Sequence, residues 1–148
     1  MNLKPILNVL GALLFLLGIT LLIPILISIY FGESDTLGFI HSFLICTFLG
    51  APIWFFTRNN KSLSNKVGFA VVTFSWVTAA IAGALPFYLT GVIPNFTDAF
   101  FESMSGVTTT GASIIGNSAT LPNLPNGIES LSHGLLFWRS FIQWIGGM

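Results

Sequence analysis

Apolar residues run almost unbroken through three stretches of the chain, 6–31, 37–57 and 67–90, and polar residues gather at the joints between them. Each stretch meets the roughly 20 apolar residues that a helix needs to cross about 30 Å of hydrocarbon. The pattern therefore predicts three membrane-spanning helices. Each carries a proline inside it or near its end, Pro24, Pro52 and Pro86. In a membrane bundle a proline kinks the helix, and neighbouring groups satisfy the backbone it frees. The link 32–36 is short enough to fold the first two spans into an antiparallel hairpin. The joint 58–66, RNNKSLSNK, is polar, and 91–94 reads as a turn. The third span sets small residues at helical spacing, Ala79 with Gly83 and Ala80 with Ala84, which lets backbones approach closely in lipid.

The pattern changes after the turn. Asn95 suits a helix cap, and Asp98 brings negative charge to the first helical turn. Phe96, Ala99, Phe100 and Val107 fall near the spacing of one apolar face. A helix over 95–106 measures only about 18 Å at 1.5 Å per residue, too short to cross the membrane. It then meets Thr108-Thr109-Thr110-Gly111. β-Branched threonines weaken a helix, and glycine opens backbone angles closed to other residues. The expectation is a half-membrane helix ending at Gly106, followed by an extended loop over 107–111. The stretch 116–127, GNSATLPNLPNG, is a polar loop, and 134–148 begins another apolar helix. That last helix measures about 22 Å, less than a full span, so the chain reads as a fragment of a larger protein. The first apolar run is longer than the roughly 7–15 residues of a cleavable signal.

Composition sharpens this picture. Of 148 residues, 53% are hydrophobic and 7% charged, with zero formal net charge. A soluble domain carries roughly 25% charged residues, so a membrane protein is expected and nucleic-acid binding is not. Of the five Lys and Arg residues, Lys4, Arg58, Lys61 and Lys66 fall on one side of the predicted hairpin. The positive-inside rule makes that side the cytoplasm, with the N-terminus there. The single cysteine, Cys46, lies in an apolar run and reads as a small buried hydrophobe. His41, His133, Asp98 and Glu102 are scattered without ligand spacing, which weighs against an enzyme and against a resident metal or cofactor.

The short helix and the threonine run together carry chemistry. A dehydrated cation needs oxygens in place of its waters, and backbone carbonyls supply them without fixed charge, so the ion can also leave. A helix C-terminus aimed at the site adds partial negative charge. Thr109 and Thr110 are expected to offer carbonyls to K+, Thr108 to add its hydroxyl, and Gly111 to turn the strand. Glu102, with Asp98, is expected to raise the cation concentration at the outer mouth. The same residues allow an alternative: a helical membrane scaffold with 95–106 lying on the surface and no pore. That alternative accounts for the composition but not for the switch from short helix to threonine run.

FFESMSGVTTTGA over 100–112 resembles the first pore loop of Trk-type potassium uptake proteins, and FWRSFIQWIGGM over 137–148 resembles the inner helix that follows it. The resemblance implies an all-α membrane protein. Residues 1–58 form an N-terminal two-helix hairpin, and 67–148 form one helix–pore loop–helix repeat whose last helix is incomplete. It implies potassium uptake across the cytoplasmic (inner) membrane, this chain supplying the first quarter of a selectivity filter. It further implies three more repeats as partners, a homodimer, and a cytoplasmic nucleotide-binding regulatory subunit.

Among the remaining polar residues, Arg139 is expected to pair with Glu102 or Glu129, since an intramembrane charge needs a partner. His41 reads as a satisfied interfacial group and His133 as solvated. Tryptophans near span ends, among Trp54, Trp76, Trp138 and Trp144, read as interface anchors.

Overall fold

In the computed structural model, which describes residues 3–58, 65–116, 121, 124 and 126–148, the apolar stretches are helical. They are α1 Lys4–Thr20, α2 Leu22–Phe31, α3 Thr36–Thr57, α4 Asn65–Leu89, α5 Phe96–Val107 and α6 His133–Gly146, with a 3-10 turn over Gly127–Ser130 before α6. Three spans, Lys4–Phe31, Thr36–Thr57 and Asn65–Leu89, are long and apolar enough to cross a membrane. Many large apolar side chains on them face outward, Phe48, Phe56, Phe69 and Leu26 among them, as lipid contact requires. Lys61 and the centre of the basic joint, with much of the polar loop after Gly116, lie outside the described residues.

The first span is not one continuous helix. It is interrupted at Leu21, between α1 and α2. Pro24 explains the position. It has no N–H to give the carbonyl four residues back, and its ring crowds that carbonyl, which belongs to Thr20. Pro52 and Pro86 lie inside α3 and α4, which run on through them. Gly32 then closes α2 in the left-handed region, φ 66°, and the Glu33 amide reaches back to the Ser28 carbonyl at 2.9 Å.

Close backbone approach assembles the bundle. A Cβ on Gly50 of α3 would lie 2.5 Å from the Phe15 amide, and one on Gly11 of α1 would lie 2.7 Å from the Trp54 amide. At this crossing α1 and α3 meet main chain to main chain, the geometry small residues permit in lipid. Of the small residues expected to pack on α4, Ala80, Gly83 and Ala84 are buried and Ala79 is half-buried, and Gly83 abuts the Ser103 side chain of α5. The Trp138 indole of α6 donates to the Gly83 carbonyl at 3.0 Å. One glycine on α4 therefore receives both α5 and α6. Trp138 is fully buried and is a packing residue, not an interface anchor, because its N–H finds a partner inside the bundle. Cys46 is buried as expected.

Candidate ion site

The short helix starts as its sequence dictates. Asn95 is extended at the cap, and its side chain accepts from the Thr97 amide at 3.0 Å. Asp98 stands in the first turn. The helix lasts one residue longer than expected, to Val107. Its buried face is smaller and more polar than predicted: Ala99, Glu102, Ser103, Ser105 and Val107. Phe96 lies exposed and Phe100 half-buried.

What ends the helix is local. The Thr108 hydroxyl donates to the Met104 carbonyl at 2.8 Å, beside the Thr108 amide at 2.9 Å. Thr109 then takes φ 56°, the only non-glycine residue with positive φ among those described. A β-branched residue there is an outlier, costing about 1–3 kcal/mol. Gly111 follows at φ 76°, where glycine is unstrained. The strand therefore turns twice within three residues. Only the second turn was expected.

The amides of this loop are all turned back onto α5. Thr109 N–H donates to the Gly106 carbonyl at 2.9 Å, and Thr110 and Gly111 N–H share the Ser105 carbonyl at 3.0 and 3.5 Å. The carbonyls behave differently. Among the described residues, the oxygens of Thr108, Thr109, Thr110 and Gly111 accept no hydrogen bond, whereas Ala112 accepts from the Ser105 hydroxyl at 2.5 Å. Residues 108–113 are exposed. A run of carbonyls without partners among the described residues, at a helix C-terminus, is an electronegative surface suited to a cation. The Thr108 hydroxyl also contacts the Thr110 hydroxyl at 2.9 Å, so it is engaged within the loop.

Glu102 does not stand at an open mouth. Its side chain is 2% exposed and lies behind the loop, paired to Arg139 Nε at 2.8 Å. It also accepts from the Ser113 hydroxyl at 3.0 Å and the Ile114 amide at 3.0 Å. Of the two expected partners for Arg139, the geometry selects Glu102, and Glu129 sits exposed in the 3-10 turn. Asp98 remains at the opposite end of α5 from the loop, roughly 15 Å away along the helix axis. Among the site residues read from the sequence, the structure thus brings Thr108, Thr109, Thr110, Gly111 and Glu102 together and leaves Asp98 apart.

Helix α6 braces the site from the other side. Gly106 packs on Ile142, Gly146 abuts the Val107 carbonyl, and Gly147 lies beside the Thr109 methyl. This role of the glycine doublet was missed; its signal was two adjacent glycines at the end of the last helix. The family model described as TrkH, cation transport protein, matches residues 36–148, a range that contains this whole arrangement.

This chain belongs to the TrkH family. Over its full length it is 37% identical to the Trk system potassium uptake protein TrkH of Vibrio parahaemolyticus and 35% identical to that of Escherichia coli K12. It spans 29% of the length of each. The crystal structure of the potassium transporter TrkH from Vibrio parahaemolyticus matches with a TM-score of 0.81 at 35% identity, covering 99% of this chain and 30% of that one. The resemblance carried by residues 100–112 and 137–148 is borne out, and so is the all-α fold.

This TrkH-family chain also carries a clasp that the sequence reading did not foresee. Glu33, in the turn before α3, accepts from the His133 amide at 2.7 Å, the His133 ring at 2.8 Å and the Gly134 amide at 3.2 Å. The ring stacks on Phe31 with centroids 3.9 Å apart, so His133 is a joint residue and not simply solvated. Burial pushes the Glu33 carboxyl up, but the His133 and Gly134 donors pull it down by more, and it sits below the ordinary carboxylate range. A carboxylate at the α6 N-terminus is also favoured by the helix dipole. The clasp fastens the α2–α3 turn to the helix that braces the loop.

Proposed function

We propose that this chain supplies the first repeat of a potassium pathway in the cytoplasmic membrane, with residues 67–148 as the repeat and 1–58 as a hairpin packed against it. The observation that carries the reading is the asymmetry of the loop: the N–H groups of residues 108–111 are bonded inward, and their carbonyls have no partner among the described residues. Thr109 and Thr110 carbonyls then coordinate K+, with Thr108 and Gly111 adjacent. K+ is the transported ion and no cofactor takes part. Potassium follows from the names of the relatives. A cytoplasmic N-terminus is supported by Lys4, Arg58, Lys61 and Lys66 under the positive-inside rule. One repeat supplies a quarter of a closed filter, so conduction requires the other repeats. A homodimer and a cytoplasmic nucleotide-binding regulatory subunit are the further partners that the family reading carries. The scaffold alternative gains little support: in a surface-lying helix, nothing calls for a buried carboxylate holding the loop that follows.

Cysteines placed singly at 108–112 in the complete transporter test this. Small cationic thiol reagents are expected to label them slowly, and millimolar K+ is expected to slow labelling further by occupying the same path. Rapid labelling by bulky reagents, indifferent to K+, would favour the surface helix.

A further inference from the structure

We infer that Glu102, Arg139 and Ser113 form a three-part clamp that positions the loop carbonyls and thereby sets ion discrimination; the inference rests on the filter reading above. A carboxylate 2% exposed is costly to bury unless its oxygens are occupied. Here they are occupied by donors from two directions. Arg139 reaches Oε1 from α6 at 2.8 Å. Ser113 bonds both oxygens, and the Ile114 amide bonds Oε2, from the outgoing limb of the loop. The Ser113 hydroxyl in turn accepts from the Ile115 amide at 3.1 Å. One side chain on α5 therefore fixes the loop after Gly111 and ties it to α6 at the same point.

The near limb is fixed separately, by Ser105 through its carbonyl to Thr110 and Gly111 and through its hydroxyl to Ala112. The strained Thr109 lies just ahead of these anchors, and the left-handed Gly111 is held by the first of them. Strain of that kind persists only where the surroundings over-determine it. The gap between the ion pair and the loop, bordered by Gly106, Gly111, Ala112 and Gln143, is about 10 Å³, room for at most one water. The loop therefore has little room to shift against the clamp, and its peptide planes are set by hydrogen bonds to Ser105 on one limb and to the Glu102 carboxylate on the other. Because Arg139 neutralises Glu102, the carboxylate adds order to the loop without adding a deep cation trap. Its task is that of a positioning residue, not of an attractor at the mouth.

Three variants of the complete transporter separate this from simple helix tethering: Glu102→Gln, Ser113→Ala and the charge swap Glu102→Arg with Arg139→Glu. The readouts are the K+ to Na+ uptake ratio, the amount of inserted protein and its melting temperature. Glu102→Gln turns an amide NH2 toward donors, and the ratio is expected to fall at least about tenfold, the worth of one charge-assisted hydrogen bond. Ser113→Ala leaves the Arg139 contact intact and is expected to lower the ratio about threefold or more while melting normally. The swap restores opposite charges between α5 and α6, so it should recover melting temperature. It should not recover discrimination, because an arginine at 102 offers donors to Ser113 and Ile114. Recovery of the ratio by the swap, or a normal ratio in Ser113→Ala, overturns the clamp. If Glu102→Gln fails to insert, Ser113→Ala decides alone. A lethal change at Gly111 beside normal ratios here sinks only the clamp, whereas a normal Gly111 variant sinks the filter reading itself.

Discussion

Gly111→Val is expected to abolish potassium uptake by the complete transporter, a loss of at least about 100-fold, with insertion unchanged. Gly111 sits at φ 76°, where a β-branched side chain is strained by about 1–3 kcal/mol. A Cβ there would meet nothing within 4 Å, so crowding does not enter. The strain can be relieved only by rotating the peptide planes on either side, which turns the Thr110 and Gly111 carbonyls. Gly91 is the matched control: it too has positive φ, 77°, and open space, but it lies in the turn between α4 and α5. Gly91→Val carries a similar backbone cost and should leave K+ preference intact. Uptake measured in cells lacking other potassium importers, with abundance read by blotting, checks both. Equal loss at the two glycines would mean that backbone strain anywhere disables the protein, and that Gly111 reports nothing about ions.

The second large effect is expected at Gly146. A Cβ there would overlap the Val107 carbonyl, which is backbone and cannot move aside cheaply. Even Gly146→Ala must push α6 away from the last turn of α5, at a cost of about 1–3 kcal/mol for an overpacked site. Val107 is the residue from which the threonine run departs, so the displacement enters the loop directly. We expect a lowered melting temperature and at least about a tenfold fall in uptake. Gly68→Ala, on α4 with open space around its Cβ, should change neither. A Gly146→Ala protein that melts and transports normally would show that the α5–α6 contact is looser than its geometry implies.

The spans and the helix–loop switch were legible in the sequence because both are local. Hydropathy needs only a window of neighbours, and Asn95, Asp98 and the TTTG run announce a start and a stop within a few residues. Five features were not legible. The break at Leu21 follows from Pro24 acting on Thr20, which reads locally as a kink of unspecified size. The left-handed Thr109 contradicts residue preference and is fixed by bonds to Ser105 and Gly106 that no propensity encodes. Facing was hardest. The burial of Trp138 on α6 and the outward turn of Phe96 on α5 are set by which neighbours each helix packs against, which no local pattern encodes. The Glu33 clasp joins residues 100 apart in sequence, beyond any periodicity. Glu102 misled for a related reason: a lone carboxylate near a loop reads as exposed charge until Arg139, 37 positions on, arrives beside it.

A crystal of the complete transporter grown with thallium in place of potassium tests the central claim most directly, since thallium mimics the ion and scatters anomalously. The account predicts an anomalous peak in contact with the Thr109 and Thr110 carbonyl oxygens, with α5 ended at Val107. A peak elsewhere in the pathway with none at this loop, or helix continuing through Thr110, would contradict it.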